Sequence, residues 1–152
     1  MPELSTTRRV RHAASAMFDL VADVEQYPEF VPLCQTLRVR RRLQEGDKDV
    51  IVADMTVAYK LIRETFTSRI TLDRRNLEIL VEYLEGPFRA MNNRWRFHPT
   101  GEQASEIEFF IAYEFRSRTL GLLMGSIFDA AFRRFSAAFE RRADQVYGVQ
   151  PA

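Results

Sequence analysis

The sequence holds one cysteine, two histidines and two lysines in 152 residues, and each shortage closes off a class of function. A lone Cys34 forms no intramolecular disulfide. With only His12 and His98 for company it offers no zinc set by spacing, so a reducing compartment, no structural metal and no cofactor are expected. Nucleophilic catalysis needs a base beside the nucleophile, and neither Cys34 nor any serine sits in a motif that supplies one. Both histidines fall near predicted strand ends and are expected to face solvent. Asp54, Glu64 and Glu108 are the remaining acid and base candidates, and in each strand the outward orientation is the more economical. The expectation is a protein that is not an enzyme.

An excess of charge of one sign is also missing. Lysine and arginine number 22 against 21 acidic residues, a net charge of +1, whereas a protein held mainly by phosphate needs a clear basic surplus. No apolar run approaches the roughly 20 residues that span a bilayer, so a soluble or peripheral protein is expected. Arg8, Arg9 and Arg11 beside Ser5, Thr6 and Thr7 suggest a transit peptide. Yet the segment has no apolar core and runs straight into patterned sequence, and it reads as a first strand.

What the chain does have is phenylalanine: 12 of them, in a sequence that is 46% hydrophobic and 28% charged. That aromatic load predicts an aromatic core or an aromatic ligand site. The length suits one domain over residues 1–152, able to bury more than half of its unfolded surface.

The order of elements follows from periodicity. Residues 4–12 predict a strand, and Ala14, Met17, Phe18, Val21 and Ala22 recur at steps of three and four as one face of a helix. Pro28 and Pro32 then forbid a long helix across Tyr27–Cys34 and predict a short turn of helix or an extended corner. From Thr36 to Phe115 the period is two, with turn signals at Glu45-Gly46-Asp47, Asp73–Asn76, Glu85-Gly86-Pro87 and Pro99–Glu102. About six antiparallel strands follow, apolar on one face and wet on the other. Met91, Asn93, Trp95 and Phe97 alternate with Arg94, Arg96 and His98; Ile107, Phe109, Ile111, Tyr113 and Phe115 alternate with glutamates. After Arg118 the helical period returns and predicts one helix from about Thr119 to Tyr147, roughly 43 Å long. Helices segregated from strands give an α+β fold: a curved antiparallel sheet around a long C-terminal helix.

Several blocks carry a resemblance. Asp23-Val24-Glu25-Gln26-Tyr27-Pro28-Glu29-Phe30-Val31-Pro32-Leu33-Cys34, Phe66-Thr67-Ser68-Arg69, Gly86-Pro87-Phe88, Trp95-Arg96-Phe97, Ala138–Ala143 and Tyr147-Gly148 resemble, in order and over nearly the whole chain, the signature of the coenzyme Q-binding START-domain family. Proteins named as ribosome association toxins share the same blocks. Leu33 stands where family members often carry tryptophan just before the cysteine. The resemblance implies a helix-grip, START-like fold with a hydrophobic cavity. It also implies binding of ubiquinone, another polyprenyl quinone or a polyprenylated precursor as ligand. Transient inner-membrane contact, service to respiratory or quinone-biosynthesis enzymes, and a cytoplasmic, membrane-peripheral location go with it. The alternative is a toxin that binds the large ribosomal subunit and blocks subunit association.

Within that frame the expected ligand contacts are Phe30, Val31 and Leu33 at the corner, Phe66, Phe88 and Trp95 on the sheet, and Leu123, Met124, Ile127, Phe128 and Ala131 on the last helix. Met and Ala there suit an adaptable pocket. On packing grounds alone, Phe128, Phe132, Phe135 and Phe139 read first as core. The corner reads equally as a structural plug or as a lid. Arg38, Arg40, Arg41 and Arg42 read first as a solvated face, with lipid headgroups or RNA as functional alternatives; Arg38, Arg40 and Arg42 are expected on one strand face.

Overall fold

Alternation of apolar and polar side chains carries most of the chain into seven strands. The structure, a computed structural model, describes residues 2–148. Strand β1 (Glu3–Val10) leads into α1 (Ala14–Ala22) and a short 3-10 helix (Val24–Glu29). Then come β2 (Cys34–Glu45), β3 (Lys48–Tyr59), β4 (Ile62–Asp73), β5 (Glu78–Glu85), β6 (Phe88–Gly101) and β7 (Ala104–Phe115), followed by α2 (Arg118–Arg133) and α3 (Phe135–Tyr147). The strands form one antiparallel sheet in the order β1-β7-β6-β5-β4-β3-β2. Consecutive strands from β2 to β7 pair as hairpins, and α1 with the 3-10 helix carries the chain from the β1 edge to the β2 edge.

Register puts the apolar sets on one face. Ile51, Ile70, Val81, Asn93, Ile111 and Leu4 stand opposite one another across six strands, so five apolar side chains and one amide make a single row. Leu72, Ile79, Trp95 and Phe109 make the next. Register shifts in β2, β5 and β6 bend the sheet, because a bulged strand twists and curves away from its partner. The concave side so formed is covered by α2 and α3.

Four of the five hairpin turns lie at the predicted signals. The fifth, Lys60-Leu61 between the paired Tyr59 and Ile62, has no glycine, proline or asparagine to mark it. Lys60 there takes φ 56°, a left-handed conformation that asparagine or glycine would ordinarily announce.

Three further expectations are corrected. The C-terminal helix is not continuous: at Arg134 (φ −94°, ψ −7°) the backbone N–H bonds to Ala131 and Phe132 carbonyls together, and α2 gives way to α3. Beyond the break Phe135 and Phe139 face the same concavity as Phe128 and Phe132. The arginine stripe also fails. A bulge between Val39 and Arg41 makes Arg40 the extra residue, so Arg38 and Arg41 stand opposite Asp54 and Val52 while Arg42 stands opposite Ile51 on the other face. Arg42 instead reaches Glu25 of the 3-10 helix at 2.5 Å. Finally, His12 is only 2% exposed, with Nε2 at 2.7 Å from Asp144 Oδ1 and its carbonyl accepting from Ser105 Oγ at 2.8 Å. The end of α3 closes over the β1–α1 junction and buries it. His98 is exposed, as expected. Its Nε2 lies 3.0 Å from Glu108 Oε2, a bond that holds the Glu108 carboxyl below its usual range.

One glycine is fixed by close approach. Gly86 has φ +143°, and a Cβ there would sit 2.6 Å from Phe66 Cβ and 2.9 Å from Phe66 Cα. The β5–β6 turn is therefore pressed against β4 through a position with no room for a side chain. Gly86→Ala is expected to cost on the order of 2–3 kcal/mol, read as a lowered urea midpoint at unchanged slope.

Candidate functional site

The concave face and the helix cover do not meet everywhere, and between them lies a cavity. Its floor is Leu37 of β2, Met55 and Val57 of β3, Phe66, Ser68 and Ile70 of β4, Ile79 and Val81 of β5, and Phe88, Met91, Asn93 and Trp95 of β6. Its roof is Phe128, Ala131 and Phe132 of α2 with Phe135 and Phe139 of α3, and Tyr27, Pro32 and Leu33 close one side. Each floor residue is there because strand alternation sends it inward. The roof follows from helical steps of three and four.

The lining contains no charged residue. Its polar groups are the Tyr27 hydroxyl, the Ser68 hydroxyl, the Asn93 amide and the Trp95 indole N–H. Tyr27 donates to the Val21 carbonyl, and burial pushes its hydroxyl far above the usual phenol range, so it is neither acid nor base here. Asn93 donates Nδ2 to the Phe110 carbonyl at 2.8 Å, which anchors the amide to β7 and leaves Oδ1 as an acceptor. Ser68 adds a hydroxyl two strands away. Aromatic edges surround these groups: Trp95 lies 5.1 Å from Phe139 and 4.7 Å from Phe109, and Phe88 lies 5.6 Å from Phe66 and 6.0 Å from Phe128.

The free space is small, about 90 Å³ within an envelope of about 900 Å³ that also counts the mouth and the solvent beyond it. Pockets that enclose a ligand run to roughly 300–1,000 Å³, so a ligand must spread the walls. Met55, Met91 and the half-buried Phe66 and Phe132 are the residues able to do so, since unbranched thioethers re-pack at little cost.

Of the expected contacts, Leu33, Phe66, Phe88, Trp95, Phe128 and Ala131 line the cavity. Phe30, Val31, Leu123, Met124 and Ile127 stand outside the lining. Phe30 packs on Phe139 at 5.0 Å beneath the Arg142 guanidinium at 5.1 Å, and Val31 is buried in the core. Leu123 is 57% exposed, and Met124 is buried outside the lining. The ligand-facing stretch of the cover thus begins at Phe128 and continues past the Arg134 break. Ser68 and Asn93 had a signal in the sequence: each is polar at an inward position of an otherwise apolar alternation.

The corner is tied down more than a free lid would be. Arg142 meets Glu29 at 2.6 Å, Tyr27 packs on Phe139 at 5.4 Å, and the Leu33 carbonyl accepts from Ala58 N at 3.0 Å. Leu33 takes φ 67°, which costs a branched side chain about 1–2 kcal/mol and holds it against the cavity.

Among the described residues, the catalytic candidates Cys34, Asp54 and Glu64 do not line up as a set. Cys34 is buried, and burial raises its thiol to about 11, so the neutral and poorly nucleophilic form prevails. Asp54 accepts from Thr67 at 2.5 Å and pairs with Arg40 at 3.1 Å on the convex face. Glu64 stands opposite Val57 and so on the concave side, contrary to its expected outward orientation, but it does not line the cavity. Among the described residues no three His, Cys, Asp or Glu side chains gather as a metal set.

A family model described as polyketide cyclase / dehydrase and lipid transport matches residues 10–140. The chain belongs to that family. Within it, the ribosome association toxin RatA of Escherichia coli K12 is 33% identical over 150 residues, covering 99% of this chain and 92% of that protein. Coenzyme Q-binding protein COQ10 homolog B, mitochondrial, of Xenopus laevis is 28% identical over 152 residues, covering 97% of this chain and 60% of that protein. The solution structure of the 18 kDa protein CC1736 from Caulobacter crescentus superposes with a TM-score of 0.79 at 34% identity, over 98% of this chain and 100% of that one. The fold is the START-like helix-grip of the family.

Burial of Cys34 has a measurable consequence. The folded protein holds the thiol proton more tightly than the unfolded chain, so this stabilisation is full below the unfolded thiol's range and lost as pH rises through about 11. At mildly alkaline pH native Cys34 is expected to alkylate roughly a hundredfold more slowly than in urea, followed by mass spectrometry.

Proposed function

We propose that the protein binds one polyprenyl quinone of the ubiquinone type, or a polyprenylated precursor, and acts as a non-catalytic carrier. The observation that supports this reading is the uncharged aromatic cavity, in which Ser68, Asn93 and the Trp95 indole N–H are the polar groups left to meet a carbonyl-bearing ring. A quinone ring suits that chemistry because it offers flat faces to Phe128, Phe139 and Trp95 and acceptor oxygens to the Ser68 hydroxyl and the second Nδ2 hydrogen of Asn93. Each isoprene unit withdrawn from water buries on the order of 80 Å² and is worth about 2 kcal/mol before binding costs. The full tail exceeds the cavity, so its distal units would remain at the mouth in contact with a membrane. Service to respiratory or quinone-biosynthesis enzymes from the cytoplasmic side of the inner membrane fits such a carrier.

A second reading, ribosome binding that blocks subunit association, is favoured by one observation: relatives 33% identical over almost the whole chain carry that name. The net charge of +1 works against it, since RNA binding draws on a basic surplus.

Two measurements separate the readings. Added short-tailed ubiquinone should quench the lone Trp95 saturably at one per chain. Ala131→Leu, which fills the cavity, should weaken that response roughly tenfold or more at an unchanged melting temperature. No saturable quenching, or equal quenching in the variant, would end the carrier reading. A stoichiometric excess of protein that lowers the yield of joined ribosomes in a sucrose gradient would establish the second reading instead.

A further inference from the structure

Six large apolar side chains stand exposed among the described residues, and four of them gather at one end of the sheet. Leu61 is 102% exposed, Leu84 53%, Leu122 81% and Leu123 57%. Register places their turns toward that same end. The β3–β4 turn, the β5–β6 turn and the passage from β7 into α2 all lie at the same end, since Tyr59 stands opposite Ile62 and Phe88 opposite Phe115. Arg116 N donates to the Pro87 carbonyl at 2.8 Å, which locks the β5–β6 turn to the start of α2. Leu122 and Leu123 project from the first turns of α2, while Leu120 and Met124 pack toward the core.

Charge is biased at the same end. The segments 59–64, 84–89 and 114–118 carry Lys60, Arg63, Arg89, Arg116 and Arg118 against Glu64, Glu85 and Glu114, a surplus that the near-neutral chain as a whole lacks. Several arginines elsewhere are paired, as in Arg8–Glu140, Arg42–Glu25, Arg74–Asp19 and Arg142–Glu29. Among the described residues none of these five cations forms an ion pair. Leu33, Leu37, Met55 and Phe66, half-buried members of the cavity lining, lie on the β2–β4 side of the cavity, toward the hairpin that carries Leu61.

We propose that this end docks on an anionic phospholipid surface, with Leu61, Leu122 and Leu123 seated in the headgroup layer and the unpaired cations on lipid phosphates. Exposed leucines ringed by arginine and lysine are the arrangement that peripheral membrane binding uses: apolar side chains enter the interface and cations draw the protein to it. Docked in this way, the cavity mouth faces the source of an apolar ligand. The surface stands whether or not the ligand is a quinone, although the proposed carrier role gives it a purpose.

The test is co-sedimentation of the full chain with vesicles of phosphatidylcholine alone or mixed with phosphatidylglycerol. The wild type should sediment with the anionic vesicles, several-fold less with the neutral ones, and less again as salt screens the cations. A Leu61→Asp/Leu122→Asp/Leu123→Asp variant, altered only at exposed positions, should lose sedimentation while quinone in detergent micelles still quenches Trp95. Val146→Asp, at the opposite end, should sediment as the wild type does. Failure of the wild type to sediment, or full sedimentation of the triple variant, overturns the proposal. So does a wild type that ignores vesicles but binds ribosomal subunits through the same leucines. Vesicle binding without quinone quenching would leave this surface standing and remove the carrier reading.

Discussion

The phenylalanines of α2 and α3 pressed against the concave face of the sheet are the contact on which the rest of the molecule depends. A sheet bent by bulges presents a hollow that its own side chains cannot fill, and only a helix laid along it keeps Trp95, Phe109 and Phe88 out of water. Edge-to-face pairs such as Trp95 with Phe139 and Phe115 with Phe128, at 5.1 and 5.2 Å, are worth about 0.5–1.5 kcal/mol each beyond the area they bury. The helix divides at Arg134 so that both halves keep this contact. The corner before β2 is fastened to the same helices through Phe30 on Phe139 and Glu29 on Arg142. Where ring edges meet without filling all the space, a narrow apolar cavity remains.

Much of this is legible in the sequence, because the signals are periodic. Steps of two between Thr36 and Phe115 place Met91, Trp95, Phe109 and Ile111 inward, and steps of three and four after Arg118 identify the cover. The parts that escape are those fixed by tertiary contact. The Lys60-Leu61 turn has no glycine to mark it. The Arg40 bulge is a matter of pairing, and once present it sends Arg42 to the opposite face from Arg38. His12 looks like a strand-end residue until α3 returns from the far end of the chain to set Asp144 beside it. Among the cavity residues, Phe132, Phe135 and Phe139 read as core because core and cavity wall obey the same period. Ser68 and Asn93 could have been found, since an inward polar residue in an apolar row calls for a partner.

Interior and exterior of this fold are separable, and that bears on the different names its relatives carry. A cavity is read by what fits inside it, whereas contact with a membrane or a ribosome is read from side chains on the outer surface. Relatives can share Gly86, the Tyr27–Cys34 corner and the aromatic cover for reasons of folding and still differ in what they meet. In this chain the exterior is nearly balanced in charge, and the turns beside α2 carry a local basic surplus. The cavity reaches toward that end of the sheet through Leu33, Leu37, Met55 and Phe66.

The most direct test of the cavity as a ligand site is a two-dimensional nitrogen–proton NMR titration with a short-tailed ubiquinone, following the Trp95 indole N–H and the Asn93 side-chain amide. Both resonances should shift together and saturate at one ligand per chain, while the backbone amides of His12 and Tyr147 at the far end of the helix cover stay in place. Shifts confined to exposed positions such as Leu61 and Leu123, with Trp95 and Asn93 unmoved, would contradict it.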